Sequence, residues 1–433
     1  MIQNRFVAVI LAVTLVACGD EGSSSPPVAQ PTATPAPPPP PPPTYSEEVA
    51  RLKAALATGC AIQIGDIALT VSSRLRESWI ADAQFVEPDD ERITMLGGRH
   101  TRASGYPYRE TLLNQAVTTR EPVYDDAGYT AARYGLNDGI EFVLPAGQSR
   151  FELVSIDGGT PGNLIIEIDG VRTNLAGYPS GQTFSGSWLY NLVEIPESQS
   201  ARTVRVWLRN RAFGGLRLPA GETLGVKPDG TPASMVFIGD SISEGSNASH
   251  VVNTWPMHVA ARLGIGNPVM ASIGGTGYLQ RRGQQFNFLD RPEDVLEAVA
   301  GGPPDAVVIA GGLNDCRSDG TGFTPQEIGD AAASYFTGLR NAAPDMVIFV
   351  LGPFSYNGGV PYPAHLAECR DAIFAAAAGV EATYTIDVSG WLPSGDQSAF
   401  FNLAIDGVHP NDYGHSVYGE KAAAAMGEII AGL

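Results

Sequence analysis

The chain has 433 residues, 44% of them hydrophobic, and a mean hydropathy near zero. That composition excludes a disordered chain, and the length makes two domains the expectation. The 46 acidic residues against 27 basic ones, a formal net charge of −19, argue against nucleic acid or an anionic lipid surface as partner.

Residues 1–18 read as a targeting segment, with Arg5 as its positive start and an apolar core over 6–17 that is too short to span a bilayer. Leu15-Val16-Ala17-Cys18 matches a bacterial lipobox, in which Cys18 becomes the lipidated first residue. The alternative is an ordinary signal peptide with a chance cysteine. Position 19 is glycine, not the aspartate of the enterobacterial inner-membrane retention signal. The expectation is therefore an extracytoplasmic protein whose one membrane contact is a lipid anchor, at the outer membrane or cell surface. Residues 19–44 form a linker rich in Pro, Ser, Thr and Ala, with proline throughout 37–43. Such a segment favours an extended polyproline helix, at about 3.1 Å per residue long enough to reach roughly 80 Å.

A first domain is expected over 45–232. It opens with a short amphipathic helix at 46–57, in which Val49, Leu52, Ala55 and Leu56 share one side. From about 60 to 230 the pattern is β: 139–145, 150–156, 164–168 and 203–208 alternate, and Gly, Asn, Asp and Pro separate them. Regular short strands of this kind predict an all-β, jelly-roll-like sandwich. Trp79, Trp188 and Trp207 are open to two readings, a sugar-binding face or ordinary core.

A second domain is expected over 233–433, after the proline- and glycine-rich junction at 227–232. Strand-like runs at 234–238, 268–273, 305–310, 346–351 and 383–388 alternate with helix-like segments, which predicts a five-stranded parallel sheet between helices, a flavodoxin-like three-layer α/β/α fold. Thr324-Pro325-Gln326-Glu327 is a capping box with proline at the first helical position, so a helix should begin there. A terminal helix is expected over 412–431.

Four stretches of this second domain carry chemistry. Gly239-Asp240-Ser241-Ile242 ends the first apolar run, and Ser241 sits where the chain leaves the sheet. Gly274-Gly275-Thr276-Gly277 follows the second run, Gly311-Gly312-Leu313-Asn314-Asp315 the third, and Asp406-Gly407-Val408-His409-Pro410 lies near the C-terminus. Ligands bind at the carboxyl ends of the strands in such sheets, so one edge gathers all four. A serine needs a base to become a nucleophile, and His409 is the candidate. Asp406, three residues earlier, can hold the imidazole in one tautomer. The backbone N–H groups of Ser241 and Gly275 and the Asn314 amide are the candidate oxyanion donors.

Taken together, in this order, the four stretches resemble the sequence blocks of the SGNH, or GDSL-type, hydrolases, over roughly residues 233–433. The resemblance implies a Ser-His-Asp acyl-enzyme mechanism with Ser241, His409 and Asp406, and an oxyanion hole of Ser241, Gly275 and Asn314. The order of β-sandwich before SGNH domain is similar to that of certain carbohydrate esterases that remove acetyl groups from polysaccharides.

The chain lacks the Gly-x-Ser-x-Gly of an α/β-hydrolase at Ser241, where Ser243 occupies the last position. Gly414-His415-Ser416-Val417-Tyr418-Gly419 is one residue out of register and is read as a decoy in the terminal helix. The six histidines are scattered, and neither a metal nor a cofactor is implied. With Cys18 assigned to lipid, Cys60, Cys316 and Cys369 allow one internal bond at most. The pair considered is Cys316–Cys369, which would tether the loop carrying Asn314; the alternative is free thiols, and Cys60 is open to a buried role. The reading reached is a serine esterase acting on short acyl esters, acetyl foremost, with an acetylated polysaccharide or other small ester as substrate. The alternatives are a lipase or arylesterase on acyl chains, and a non-catalytic carbohydrate-binding lipoprotein.

Overall fold

The computed structural model describes residues 46–98, 100–103, 111–114, 137–157, 164–173, 188–208, 211–227, 230–283, 286–299, 301–317, 322–357, 359–403 and 405–433. The leader, Cys18 and the linker lie outside the described residues. Tyr45–Leu433 forms one compact unit.

Among the described residues its first part holds thirteen strands: β1 (Gln63–Gly65), β2 (Thr70–Leu75), β3 (Gln84–Val86), β4 (Thr94–Leu96), β5 (His100–Ala103), β6 (Thr111–Asn114), β7 (Asp138–Leu144), β8 (Arg150–Asp157), β9 (Leu164–Ile168), β10 (Val171–Thr173), β11 (Trp188–Glu194), β12 (Arg202–Leu208) and β13 (Arg211–Leu218). One sheet has the order β1-β10-β9-β12-β7-β4; the other runs β2-β11-β8-β13-β6-β5, with β3 also on β13. Only β1 and β10 pair in parallel among these described strands. Strand alternation sends one side of each sheet inward. Ile140 and Phe142 of β7 and Val204 and Val206 of β12 share a core with Phe151 and Leu153 of β8 and Phe213 of β13. Phe142 and Phe151 meet edge to face across it, 5.1 Å between centroids.

The second part alternates strand and helix. Its sheet holds β14 (Ser234–Gly239), β15 (Asn267–Met270), β16 (Ala306–Ala310), β17 (Val347–Leu351) and β18 (Thr383–Ile386), all parallel, in the order β15-β14-β16-β17-β18. The helices are α1 (Glu47–Leu56), α2 (Ser241–Glu244), α3 (Trp255–Leu263), α4 (Glu293–Leu296), α5 (Pro325–Ala342), α6 (Ala364–Ala378) and α7 (Asp412–Gly432). Thr324 and Glu327 form the reciprocal capping box at the start of α5. Both faces of the sheet are covered, so β14, β16 and β17 read as unbroken apolar runs. Val236, Ile238, Val307 and Ile309 face Ile328 and Leu339 of α5 and Ile373 of α6. Met235, Phe237 and Val308 face the other way, towards Val259 of α3 and Met426 of α7.

Two expectations need correction. The N-terminal helix was grouped with the β region, yet α1 packs on the α/β part: Leu52, fully buried, lies in the cluster of Leu263 and Met426, and Arg51 donates to the buried Asp305 at 2.6 Å. An amphipathic stripe announces that a helix is covered, not by what. The sugar-face reading of the tryptophans also fails for Trp207. Trp207 of β12 is 1% exposed, packed with Leu96 and Ile165 against Val252, Met257 and Met270 where the two parts meet. Trp79 donates through Nε1 to the Tyr190 carbonyl and has Arg74 over its ring, yet it stays 37% exposed. The Trp188 side chain lies outside the described residues.

The same junction shields an edge. β15 is the last strand on its side of the sheet, and the Asn137 carboxamide donates to the Pro268 carbonyl and accepts from the Met270 N–H, as another strand would. Arg172 reaches across to the Val252 carbonyl.

Candidate active site

The sheet order places β14 and β16 side by side in the middle, with the chain running to one side after β14 and to the other after β16. This is the topological switch point, where open α/β sheets bind ligands beyond the strand ends. Ser241 follows β14 and Asn314 follows β16. A Cβ on Gly239 would lie 2.4 Å from Ser243 Oγ and 2.5 Å from the Ala310 carbonyl oxygen, so only glycine lets the chain turn there. Asp240 then caps α2, accepting the Ile242 N–H at 2.9 Å. Ser241 is the first residue of that helix.

His409 and Asp406 come from the loop before α7. A bridge between Phe401 and Pro410, and Asn411 capping α7 through the Gly414 N–H, hold that loop at both ends. Asp406 Oδ1 accepts the N–H groups of Val408 and His409, each at 2.9 Å, and its Oδ2 lies 2.9 Å from His409 Nδ1. Burial opposes the charge on Asp406, but these donors outweigh it and bring its pKa down to about 2. A carboxylate only accepts, so the ring proton sits on Nδ1 and leaves Nε2 as an acceptor. His409 Nε2 lies 2.7 Å from Ser241 Oγ. The geometry is a hydroxyl, a base and an orienting acid in one line.

The glycine stretch runs beside the serine. A Cβ on Gly274 would lie 3.2 Å from Ser241 Cβ, and Gly275 has φ +75°, a left-handed conformation that favours glycine. Neither the Ser241 N–H nor the Gly275 N–H has an acceptor among the described residues. The Asn314 amide donates to the Thr276 carbonyl at 2.9 Å, which joins the third stretch to the second. Cys316 and Cys369 form a disulfide, Cα to Cα 6.2 Å, tying the loop after Asn314 to α6. Cys60 is a free, exposed cysteine, not a core residue. Ser416 lies within α7 and donates to the Tyr413 carbonyl, so it has no part in the site.

Several residues of the site escaped sequence reasoning. The buried Asp315 carboxylate accepts the N–H groups of Tyr278, Leu279 and Gln280 at 2.8–2.9 Å. Glu244 accepts the Gly274 N–H at 2.8 Å. The Asn247 amide lies 3.5 Å from Asp406 Oδ2. Asp240 is buried, which pushes its pKa up to about 7 against the pull of the Ile242 N–H. The one sequence signal among them was the Asp that follows Asn314.

A hydroxyl, imidazole and carboxylate in line at a switch point, with two unpartnered N–H groups beside the hydroxyl, define a site suited to acyl transfer. Residues 237–417 match the model of the GDSL-like lipase/acylhydrolase family. Over these residues the α/β part is similar to the GDSL/SGNH-type esterases, and the chain is a carboxylic ester hydrolase. A GDSL lipase of Mycobacterium tuberculosis is 29% identical over 206 residues, covering 46% of this chain and 83% of that protein. The fold is shared with a salicylyl-acyltransferase from a tetracycline biosynthetic pathway, with a TM-score of 0.61 and 16% identity over 80% of this chain and 97% of that one. It is shared also with an acetyl xylan esterase of the rumen bacterium Butyrivibrio proteoclasticus, with a TM-score of 0.56 and 16% identity over 81% and 99%.

Proposed function

We propose that this ester hydrolase is an extracytoplasmic, lipid-anchored serine esterase that removes short acyl groups, acetyl foremost, from carbohydrate. Ser241 Oγ attacks the acyl carbon while His409 Nε2 takes its proton, and Asp406 steadies the imidazolium. The oxyanion is met by the N–H groups of Ser241 and Gly275 and by the second N–H of the Asn314 amide. The alcohol leaves with the proton from His409, and water then repeats the sequence on the acyl-enzyme. The observation that carries this reading is the unbroken chain from Ser241 Oγ to His409 Nε2, 2.7 Å, and from His409 Nδ1 to Asp406, 2.9 Å. The carbohydrate part is supported by the order of the chain, two β-sheets before the hydrolase fold, which we read as a jelly-roll-like sandwich, and by the same plan in a protein described as an acetyl xylan esterase. Cys18 and the proline-rich linker would hold the enzyme at a surface where polymers are met.

A second reading, a lipase on longer acyl chains, is favoured by the rim of the site. Leu403, Ile405 and Val408 around Asp406 are exposed, at 48%, 63% and 37%, and add apolar surface to an approach that also carries the polar stretch Ser246-Asn247-Ala248-Ser249. A p-nitrophenyl ester series run beside acetylated xylan separates the two. The first reading expects acetyl to exceed octanoyl in kcat/KM, with acetate released from a glycan. Preference for eight carbons or more, with no release from any glycan, would establish the lipase.

A further inference from the structure

The side chain of Arg282 lies over the glycine stretch. Its Cβ, Cγ and Cδ stand 3.3, 3.3 and 3.0 Å from the position a Cβ would take on Gly275. Its Nη1 stands 3.4 Å from the corresponding position on Gly274, a point that is itself 3.2 Å from Ser241 Cβ. The methylene stem thus covers the Gly275 backbone and carries the guanidinium to the serine's side of it. Covering a glycine needs the stem alone; packing does not need the charge.

That charge is also uncommitted. The chain is acidic, and several of its other arginines find carboxylates: Arg281 pairs with Asp290, Arg51 with Asp305, Arg172 with Glu167 and Arg205 with Glu141. Arg282 is exposed and has neither an ion pair nor a hydrogen bond among the described residues. The Glu244 carboxylate comes to the same point, but its Oε2 accepts the Gly274 N–H and makes no ion pair with Arg282.

We propose that Arg282 is a specificity residue that binds a carboxylate carried by the ester substrate, so that the preferred substrates are acidic esters. A guanidinium offers a carboxylate two parallel N–H donors, a geometry that neither a sugar hydroxyl nor an alkyl chain uses fully. The carboxylate belongs either to the alcohol side, as in a glycan that contains uronic acid, or to the acyl side, as in the half-ester of a dicarboxylic acid. This assignment rests on the reading of Ser241 as the nucleophile.

Two matched pairs of esters test it on the full chain: p-carboxyphenyl acetate against phenyl acetate, and p-nitrophenyl hydrogen glutarate against p-nitrophenyl pentanoate. The quantity read is the ratio of kcat/KM, charged over neutral, within each pair. Arg282→Gln lowers that ratio about tenfold in at least one pair, the worth of a charge-assisted hydrogen bond, and the pair affected tells which side carries the carboxylate. Arg282→Glu lowers it further, Arg282→Lys keeps part of it, and added salt erodes it in the wild type. Ratios unchanged by Arg282→Gln in both pairs overturn the assignment, even if total activity drops. Wild type inactive on all four esters, or a Ser241→Ala variant still active, instead ends the serine-esterase reading itself and takes this assignment with it.

Discussion

Replacing Asn314 with alanine removes the one side-chain donor proposed for the oxyanion and leaves the nucleophile and base untouched. The expected outcome is a kcat lower by about 10²–10³ with little change in KM, because the lost contact is made only in the transition state. Asp315, its neighbour, does different work. Its carboxylate gathers three backbone N–H groups of the stretch 278–280, and a Cβ on Gly277 would lie 2.0 Å from its Oδ2. Asp315→Asn turns an amide group towards those donors, so it should cost about 1–3 kcal/mol of stability as well as lowering kcat. Steady-state kinetics beside thermal melts separate the two: a raised KM with normal kcat in Asn314→Ala would remove Asn314 from the oxyanion hole. At this scale Ser241, Gly275, Asn314, Asp406 and His409 were legible because each is a residue with reactive or special backbone chemistry placed just past an apolar run or in a glycine loop. Asp315 was marked only by its place after Asn314, and Glu244 and Arg282 not at all, because Glu244 meets the Gly274 N–H and the Arg282 stem packs over Gly275, contacts that leave no mark on the sequence.

The elements tell a similar story. The parallel strands were legible since burial on both faces makes them plain apolar runs, and α5 announced its start through Thr324 and Glu327. What an element packs against was harder to read. α1 lies on the α/β part through Leu52 and through Arg51, whose guanidinium meets the 2%-exposed Asp305. Asp305 also accepts the Ser234 N–H and hydroxyl, so one carboxylate ties α1 to the entry of β14. Arg51→Ala strands that carboxylate with its hydroxyl and amide donors only, and should destabilise the protein by about 1–3 kcal/mol while kcat stays as it was, since Arg51 is remote from the strand ends that carry the site. Denaturant titration with parallel ester assays checks this; unchanged stability would mean that α1 is held by its apolar face alone.

For the molecule as a whole, two histidines, the buried His415 and the half-buried His258, shape its behaviour in acid. Burial pulls the pKa of His258 and of His415 down to about 4, and His415 accepts the Trp255 N–H at Nδ1 while its Nε2 faces the Ser246 carbonyl. Unfolded, each would titrate near 6.5. Between those values the unfolded chain binds more protons, so stability falls as pH drops from about 6.5 to 4. Asp406, at about 2 in the folded state, adds a further loss as pH falls below its ordinary value. Asp240 has the opposite sign: its raised pKa of about 7 makes the folded state gain on acidification between about 7 and 4, which offsets part of the histidine effect. Melting temperatures measured across this range should fall with pH, and His415→Gln should flatten the decline; a slope equal to that of the wild type would show that His415 is charged in the fold. Everything proposed for the site turns on Ser241 Oγ as the attacking atom, which mass spectrometry after reaction with a fluorophosphonate can identify. A single phosphonylated residue, Ser241, is expected, together with loss of ester hydrolysis, and no label in Ser241→Ala. Label on Ser416 or another residue, or full activity in Ser241→Ala, would contradict it.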